Sequence, residues 1–169
     1  MESTTPAPAG LPAPPLAIRS TTDAGDPDVR RLVAAAEDEL RRRYPEDDDL
    51  GPDVHALVWL VAERDGHGVG IIALCPLEEG VGELKRLYVA DEARRGGVAR
   101  ALLDAAEDEG RARGMSALRL ETGTRQPEAM ALYQRHGWAP IAPYGYWAGH
   151  PMTRCYGKQL AGDGSAVSA

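Results

Sequence analysis

Apolar positions along the chain change their period several times, and each change marks an element. Residues 16–19 read as a short strand. From Asp26 the repeat becomes helical. Val29, Leu32, Val33, Ala36 and Leu40 recur at helical spacing, Asp26 is placed to cap the first turn, and Pro27 suits the first helical position. The spacing predicts a helix ending near Tyr44 and Pro45. The acidic stretch Glu46, Asp47, Asp48, Asp49, followed by Gly51 and Pro52, reads as a solvated loop. Strand-like runs at 56–64 and 68–76 are split by Asp65-Gly66, a pair typical of a tight hairpin, and a third run at 83–90 follows a Gly-containing turn. Three strands with such short connections make an antiparallel meander.

After Asp91 the pattern is helical again, with Val98, Ala101, Leu102, Ala105 and Ala106 as the apolar stripe. Arg100, Asp104, Glu107, Asp108 and Arg111 form the expected wet face, and Gly114 is placed to end the helix. A strand at 117–122, a helix opened by Pro127 and stopped by Gly137, and a last strand at 154–160 complete the order. That order predicts an α/β (α+β) fold, with a mixed, mostly antiparallel sheet of six to seven strands flanked by about four helices. The Pro-, Ala- and Thr-rich residues 1–15 and the Gly- and Ser-containing residues 161–169 are expected to be disordered, which leaves a domain at 16–160.

Composition narrows the function. The chain has 169 residues, 43% of them hydrophobic, enough for one ordinary core. A net charge of -7, with Lys and Arg scattered among more numerous acids, argues against nucleic acid as a partner. Neither a membrane-length apolar run nor a signal-peptide pattern occurs, so no membrane role and a cytoplasmic location are expected. Cys75 and Cys155 have no metal-ligand spacing around them and read as small buried hydrophobes; no metal is expected.

The stretch YVADEARRGGVARALL, Tyr88 to Leu103, carries the chemistry. A strand runs into Arg94-Arg95-Gly96-Gly97-Val98-Ala99 and then into a helix. Glycines let the backbone approach a ligand, and the unpaired N–H groups and dipole of a helix start favour an anion such as a pyrophosphate. Arg94, Arg95 and Arg100 add positive charge at the same place. The spacings of the nucleoside triphosphate and dinucleotide motifs are both missing.

This segment resembles the [RQ]-x-x-G-x-[GA] signature of the GCN5-related N-acetyltransferase (GNAT) superfamily, as Arg94, Gly97 and Ala99, with LKRLYV before it and ARALL after it. The resemblance continues through LRLETG, Leu118 to Gly123, and QPEAMALYQRHGW, Gln126 to Trp138, where Trp138 stands in place of the usual Phe. It implies acetyl-CoA as acyl donor and an amine of a small molecule or peptide as acceptor, joined by direct transfer without an acyl-enzyme. The pyrophosphate would lie on the turn, at Arg95, Gly96, Gly97, Val98, Ala99 and Arg100, and the pantetheine arm would pair with the strand at Leu87, Tyr88 and Val89. Homodimers are common among such proteins. A module of the same fold that binds acyl-CoA as a sensor is the alternative.

The same resemblance offers catalytic groups. Glu83 matches a position where many members have a carboxylate base, and Tyr133 the place of a tyrosine acting as general acid on the departing thiolate. Glu121, at the end of a strand beside the expected cleft, is a second candidate base, and water a third. The aromatic residues Trp138, Tyr144, Tyr146 and Trp147 fit an acceptor pocket and core filling equally well.

Overall fold

A computed structural model describes residues 12–160. The expected disordered tails fall almost wholly outside the described residues. The elements are β1 (Ala17–Thr21), α1 (Pro27–Arg43), β2 (Val58–Arg64), β3 (His67–Glu78), β4 (Val81–Val89), a single 3-10 turn (Asp91–Ala93), α2 (Val98–Ala112), β5 (Ala117–Gly123), α3 (Pro127–Arg135), β6 (Ala139–Ile141) and β7 (Thr153–Gln159). Among the described residues three α-helices stand where about four were expected. The extra strand is β6, whose three residues include Pro140 and are too few to show a period of two.

Local chemistry explains most boundaries. The Asp26 carboxylate accepts hydrogen bonds from the N–H groups of Asp28 and Val29, at 3.0 and 3.2 Å, and Arg41, Arg42 and Arg43 lie at the negative end of α1. The β2–β3 hairpin turns on Asp65 and Gly66, both with positive φ (53° and 71°), the geometry that twists with its strands.

All seven strands form one sheet in the order β1-β2-β3-β4-β5-β7-β6. Every pairing is antiparallel except β4 with β5. Alternating residues of the central strands feed two cores. Trp59, Val61, Ile71 and Ala73 pack against Val29 and Leu32 of α1. Leu60, Ile72, Leu74, Leu118 and Leu120 pack against Val98, Leu102 and Ala106 of α2 and Tyr133 of α3. A sheet covered on both faces explains why β3 is buried continuously from Gly68 to Cys75 rather than alternately. Gly70 permits α2 to approach β3 closely, since a Cβ there would lie 2.9 Å from Val98.

Glu107 corrects the helical reading. It was expected on the wet face of α2, yet it is buried, with its carboxylate 2.8 and 3.0 Å from Lys158 Nζ, which also donates to the carbonyl of His136 at 2.7 Å. One ammonium thus joins α2, β7 and the end of α3. Removing one partner of such a pair strands a charge. Lys158 retains some solvent contact, so Lys158→Met is expected to cost about 2–3 kcal/mol, below the figure for a fully buried pair; urea denaturation checks this, and an unchanged midpoint would show the pair to be neutral.

Candidate active site

Parallel pairing between β4 and β5 covers only Val81–Leu84 against Ala117–Leu120. Both strands continue, β4 to Val89 and β5 to Gly123, held on their outer sides by β3 and β7. Beyond Leu84 and Leu120 they part, and a cleft of about 210 Å³ opens between Lys85, Arg86 and Leu87 on one side and Glu121, Thr122 and Gly123 on the other. The cause is local. Between Ile71 and Ala73, β3 has one residue where β4 has two, Arg86 and Leu87, and Arg86 takes φ +57°. A bulge of this kind bends and twists its strand, here at the point where pairing to β5 stops.

At the end of β4 the chain enters the glycine-containing turn. Arg95 (φ 63°) and Gly97 (φ 76°) are both left-handed, and α2 starts with no side-chain cap and no acidic residue in its first turn. The first helical bond runs from Ala101 N–H to Gly97 O, which leaves the N–H groups of Val98, Ala99 and Arg100 free for an outside anion. A Cβ on Gly97 would meet nothing within 4 Å, so the space above the turn is open. Arg95 and Arg100 are exposed there. Arg94 behaves differently. Its Nη2 lies 2.9 and 3.1 Å from the Glu39 carboxylate, its Nε donates to Val89 O at 2.9 Å, and it sits over the Tyr88 ring, so its side chain ties the turn to α1. Sequence reasoning did not single out Arg64, which reaches the turn from β2 with Nη2 3.4 Å from Gly96 O.

The structure brings Glu83 and Glu121 together and assigns them unequal places. Glu83 is 6% exposed and accepts a hydrogen bond from the Tyr144 hydroxyl at 3.1 Å, with Lys85 Nζ 3.8 Å away. Glu121 rather than Glu83 lines the cleft. Its Oε2 is shielded and without a partner; burial first, and then the Glu83 charge beside it, push its carboxyl up to about 7. Tyr133 is 6% exposed, packs against Trp138 and Tyr156, and lines the cleft from α3. Burial raises its phenol above the usual value, so it stays protonated.

The far wall comes from segments the sequence left undecided. The acidic loop is not merely solvated. Asp49 accepts from the Tyr146 hydroxyl, Asp47 lies 3.8 Å from His150 Nε2, Glu46 pairs with Arg125, and Asp47 and Asp49 both line the cleft. The aromatic cluster divides accordingly. Trp138 is core, Tyr144 holds Glu83, and Tyr146 and Trp147 strap the β6–β7 loop onto the acidic loop. The end of α1 docks equally closely, since Arg125 N–H donates to Tyr44 Oη, and a Cβ on Gly123 would sit 1.9 Å from that oxygen. The resemblance pointed to Glu83, whereas its contact with Tyr144 depends on packing between distant segments. Both cysteines are free and buried. No group of residues suited to a metal occurs among the described residues, and no helix of the described residues is long and apolar enough to cross a membrane.

Comparison with known proteins gives the family and agrees with the fold. The model of the Acetyltransferase (GNAT) family matches residues 26–138. A protein of Azospirillum brasilense named IAA acetyltransferase is 38% identical over 138 residues, 78% of this chain and 90% of that one. The chain belongs to the GNAT acetyltransferase family. Among GNAT structures, one from Klebsiella pneumoniae, assigned by name to the acyl-CoA N-acyltransferases, has 30% identity and a TM-score of 0.74, covering 86% of this chain and 98% of its own. A GNAT acetyltransferase of Elizabethkingia anophelis with acetyl-CoA bound shares the fold, with a TM-score of 0.65 at 18% identity over 86% of this chain and 98% of its own.

Glu121 gives the cleft a signature in stability. Its folded carboxyl titrates near 7, against an ordinary value of 4.5, so between those values the folded state binds more protons than the unfolded one. Its contribution is therefore lost as pH rises through that window. Glu121→Gln is expected to remove this loss, so that the variant gains on the native protein in denaturation midpoint between pH 5 and pH 7.5. An equal pH response of the two would return Glu121 to an ordinary exposed carboxylate.

Proposed function

We propose that the protein is an acetyl-CoA-dependent N-acetyltransferase that acts on a primary amine by direct transfer in a ternary complex. The observation that carries this reading is the gap between β4 and β5 together with the open N-terminus of α2, which follows β4 directly along the chain, since the two suit a donor with an extended arm and a pyrophosphate. The residues present fit such a donor. Free N–H groups of Val98, Ala99 and Arg100, flanked by Arg95 and Arg100, suit the phosphates. The edge of β4 from Leu87 to Val89, unpaired toward β5, suits the amides of the arm.

The chemistry asked of the chain is positioning and proton handling. An alkylamine is mostly protonated at neutral pH, with a pKa near 10, and must lose a proton before its nitrogen can attack. Glu121 lines the cleft with a pKa of about 7, which suits a group that takes a proton near neutrality and gives it up again. Glu83, fixed by Tyr144, stands behind it and sustains that value through its charge. The amine nitrogen then bonds to the thioester carbon, the carbon–sulfur bond breaks, and the electron pair leaves on sulfur. Tyr133, which lines the cleft from α3, would donate a hydrogen bond to that sulfur as charge develops, while the acylated nitrogen sheds its extra proton to complete the amide.

Calorimetry with acetyl-CoA, followed by a free-thiol release assay across amines, amino acids and peptides, tests the proposal. Binding with thiol release from an amine class supports it. Binding with no release would leave an acyl-CoA-binding module, and no binding would overturn it. Gly97→Glu is expected to weaken acetyl-CoA binding more than about tenfold while the protein stays folded, since the new side chain meets open space and carries the wrong charge. Gly97→Ala imposes the same φ cost without the charge, so equal losses in the two would assign the effect to backbone strain. Tyr133→Phe is expected to retain donor binding with slower turnover and a changed pH profile; an unaltered rate would leave Tyr133 a packing residue.

A further inference from the structure

Resting on that reading of the cleft, one residue of its wall says what kind of amine it takes. Successive residues of a regular strand point to opposite faces, yet Lys85 and Arg86 both line the cleft. The bulge brings this about, and it holds a non-glycine residue at φ +57° to do so. Left-handed backbone at such a residue is uncommon and tends to gather where a side chain is aimed for function.

The guanidinium placed there is poorly satisfied. The Arg86 side chain is 15% exposed, its Nε is shielded without a hydrogen-bond partner, and Nη2 makes only long approaches, 3.4 Å to Leu50 O and 3.9 Å to a Glu37 oxygen. Other partly buried arginines are closely held: Arg19 lies 2.8 Å from Asp26, and Arg94 2.9 Å from Glu39. The second cation of the cleft, Lys85, lies on the side of Glu83. Arg86 is therefore a cation inside a small cleft whose planar fork lacks the close acceptor that such forks pair with, and a carboxylate is the group that matches it with two parallel hydrogen bonds.

We infer that the acceptor is an amine that also bears a carboxylate, of the α-amino acid class, with its carboxylate on the Nη groups of Arg86 and its amine toward Glu121. Leu40, Leu50, Tyr44, Trp147 and Met152 line the same cleft beside the acidic Asp47 and Asp49, so apolar and aromatic surface is available to the rest of the molecule and a second carboxylate on it is disfavoured. The positive fork selects against simple amines, which satisfy the acidic groups and leave the arginine unmet. Selectivity arises because a buried partner left unpaired is costly.

The test measures kcat/KM, at saturating acetyl-CoA, for apolar and aromatic amino acids such as methionine and phenylalanine, each beside its carboxamide and its decarboxylated amine. The native protein is expected to prefer the amino acids by at least about tenfold, the range for a charge-assisted pair. In Arg86→Gln that ratio should fall to near one while acetyl-CoA still binds; Arg86→Lys, which keeps the charge without the fork, should retain part of it. Amines without a carboxylate reacting as well as amino acids in the native protein would overturn the inference and leave the acetyltransferase reading standing. So would an Arg86→Gln variant that slows every acceptor by the same factor. Failure of the native protein to bind acetyl-CoA would instead remove the functional reading, and this inference with it.

Discussion

Two parallel strands that stop pairing halfway are the constraint on which the site depends. β4 and β5 share four residues of ladder and then separate, because an extra residue in β4 bends it while β5 stays paired to β7 along its whole length. Burying unpaired backbone without a partner is costly, so a gap in the centre of a sheet persists only where water or a ligand can satisfy its edges. Everything chemical in the molecule lies along this gap. The turn that follows β4 along the chain leads into the open end of α2, and Glu121 and Tyr133 line the gap from β5 and α3.

The walls are held by ties that cross long stretches of sequence. Arg94 binds the turn to Glu39 of α1, while Arg43 and Arg125 each donate to the other's carbonyl at 2.8 Å, which pins the end of α1 to the loop before α3. Tyr144 and Tyr146, two residues apart, fix a catalytic candidate and the acidic loop with the same strap. Exposed single pairs of this sort contribute little to stability, at most about 1 kcal/mol each. Their value here is geometric, because they keep charged side chains at stated places around a cleft that would otherwise be bounded by mobile loops.

The sequence was most legible where chemistry is local. The cap at Asp26, the hairpin at Asp65-Gly66, the stops at Gly114 and Gly137 and the turn at Gly97 each depend on a residue and its near neighbours, and each stands where it was expected. It was least legible where distant segments meet. Glu107 looked solvated because its partner, Lys158, is far along the chain, and the acidic loop looked bland because Tyr146 and His150 arrive from after β6. Period-two reasoning hid Arg86 altogether, since a bulge is invisible until the register of both strands is known. The resemblance offered Glu83 and strand position offered Glu121, whereas the lining of the cleft by Glu121 and not by Glu83 required the packing around both.

The most direct test of the central claim is amide hydrogen exchange of the native protein with and without acetyl-CoA. The account predicts new protection confined to two segments, 85–89 along the free edge of β4 and 95–100 at the turn and the start of α2. Protection elsewhere, or an unchanged exchange pattern at both segments with the ligand saturating, would contradict the assignment of the gap as the donor site.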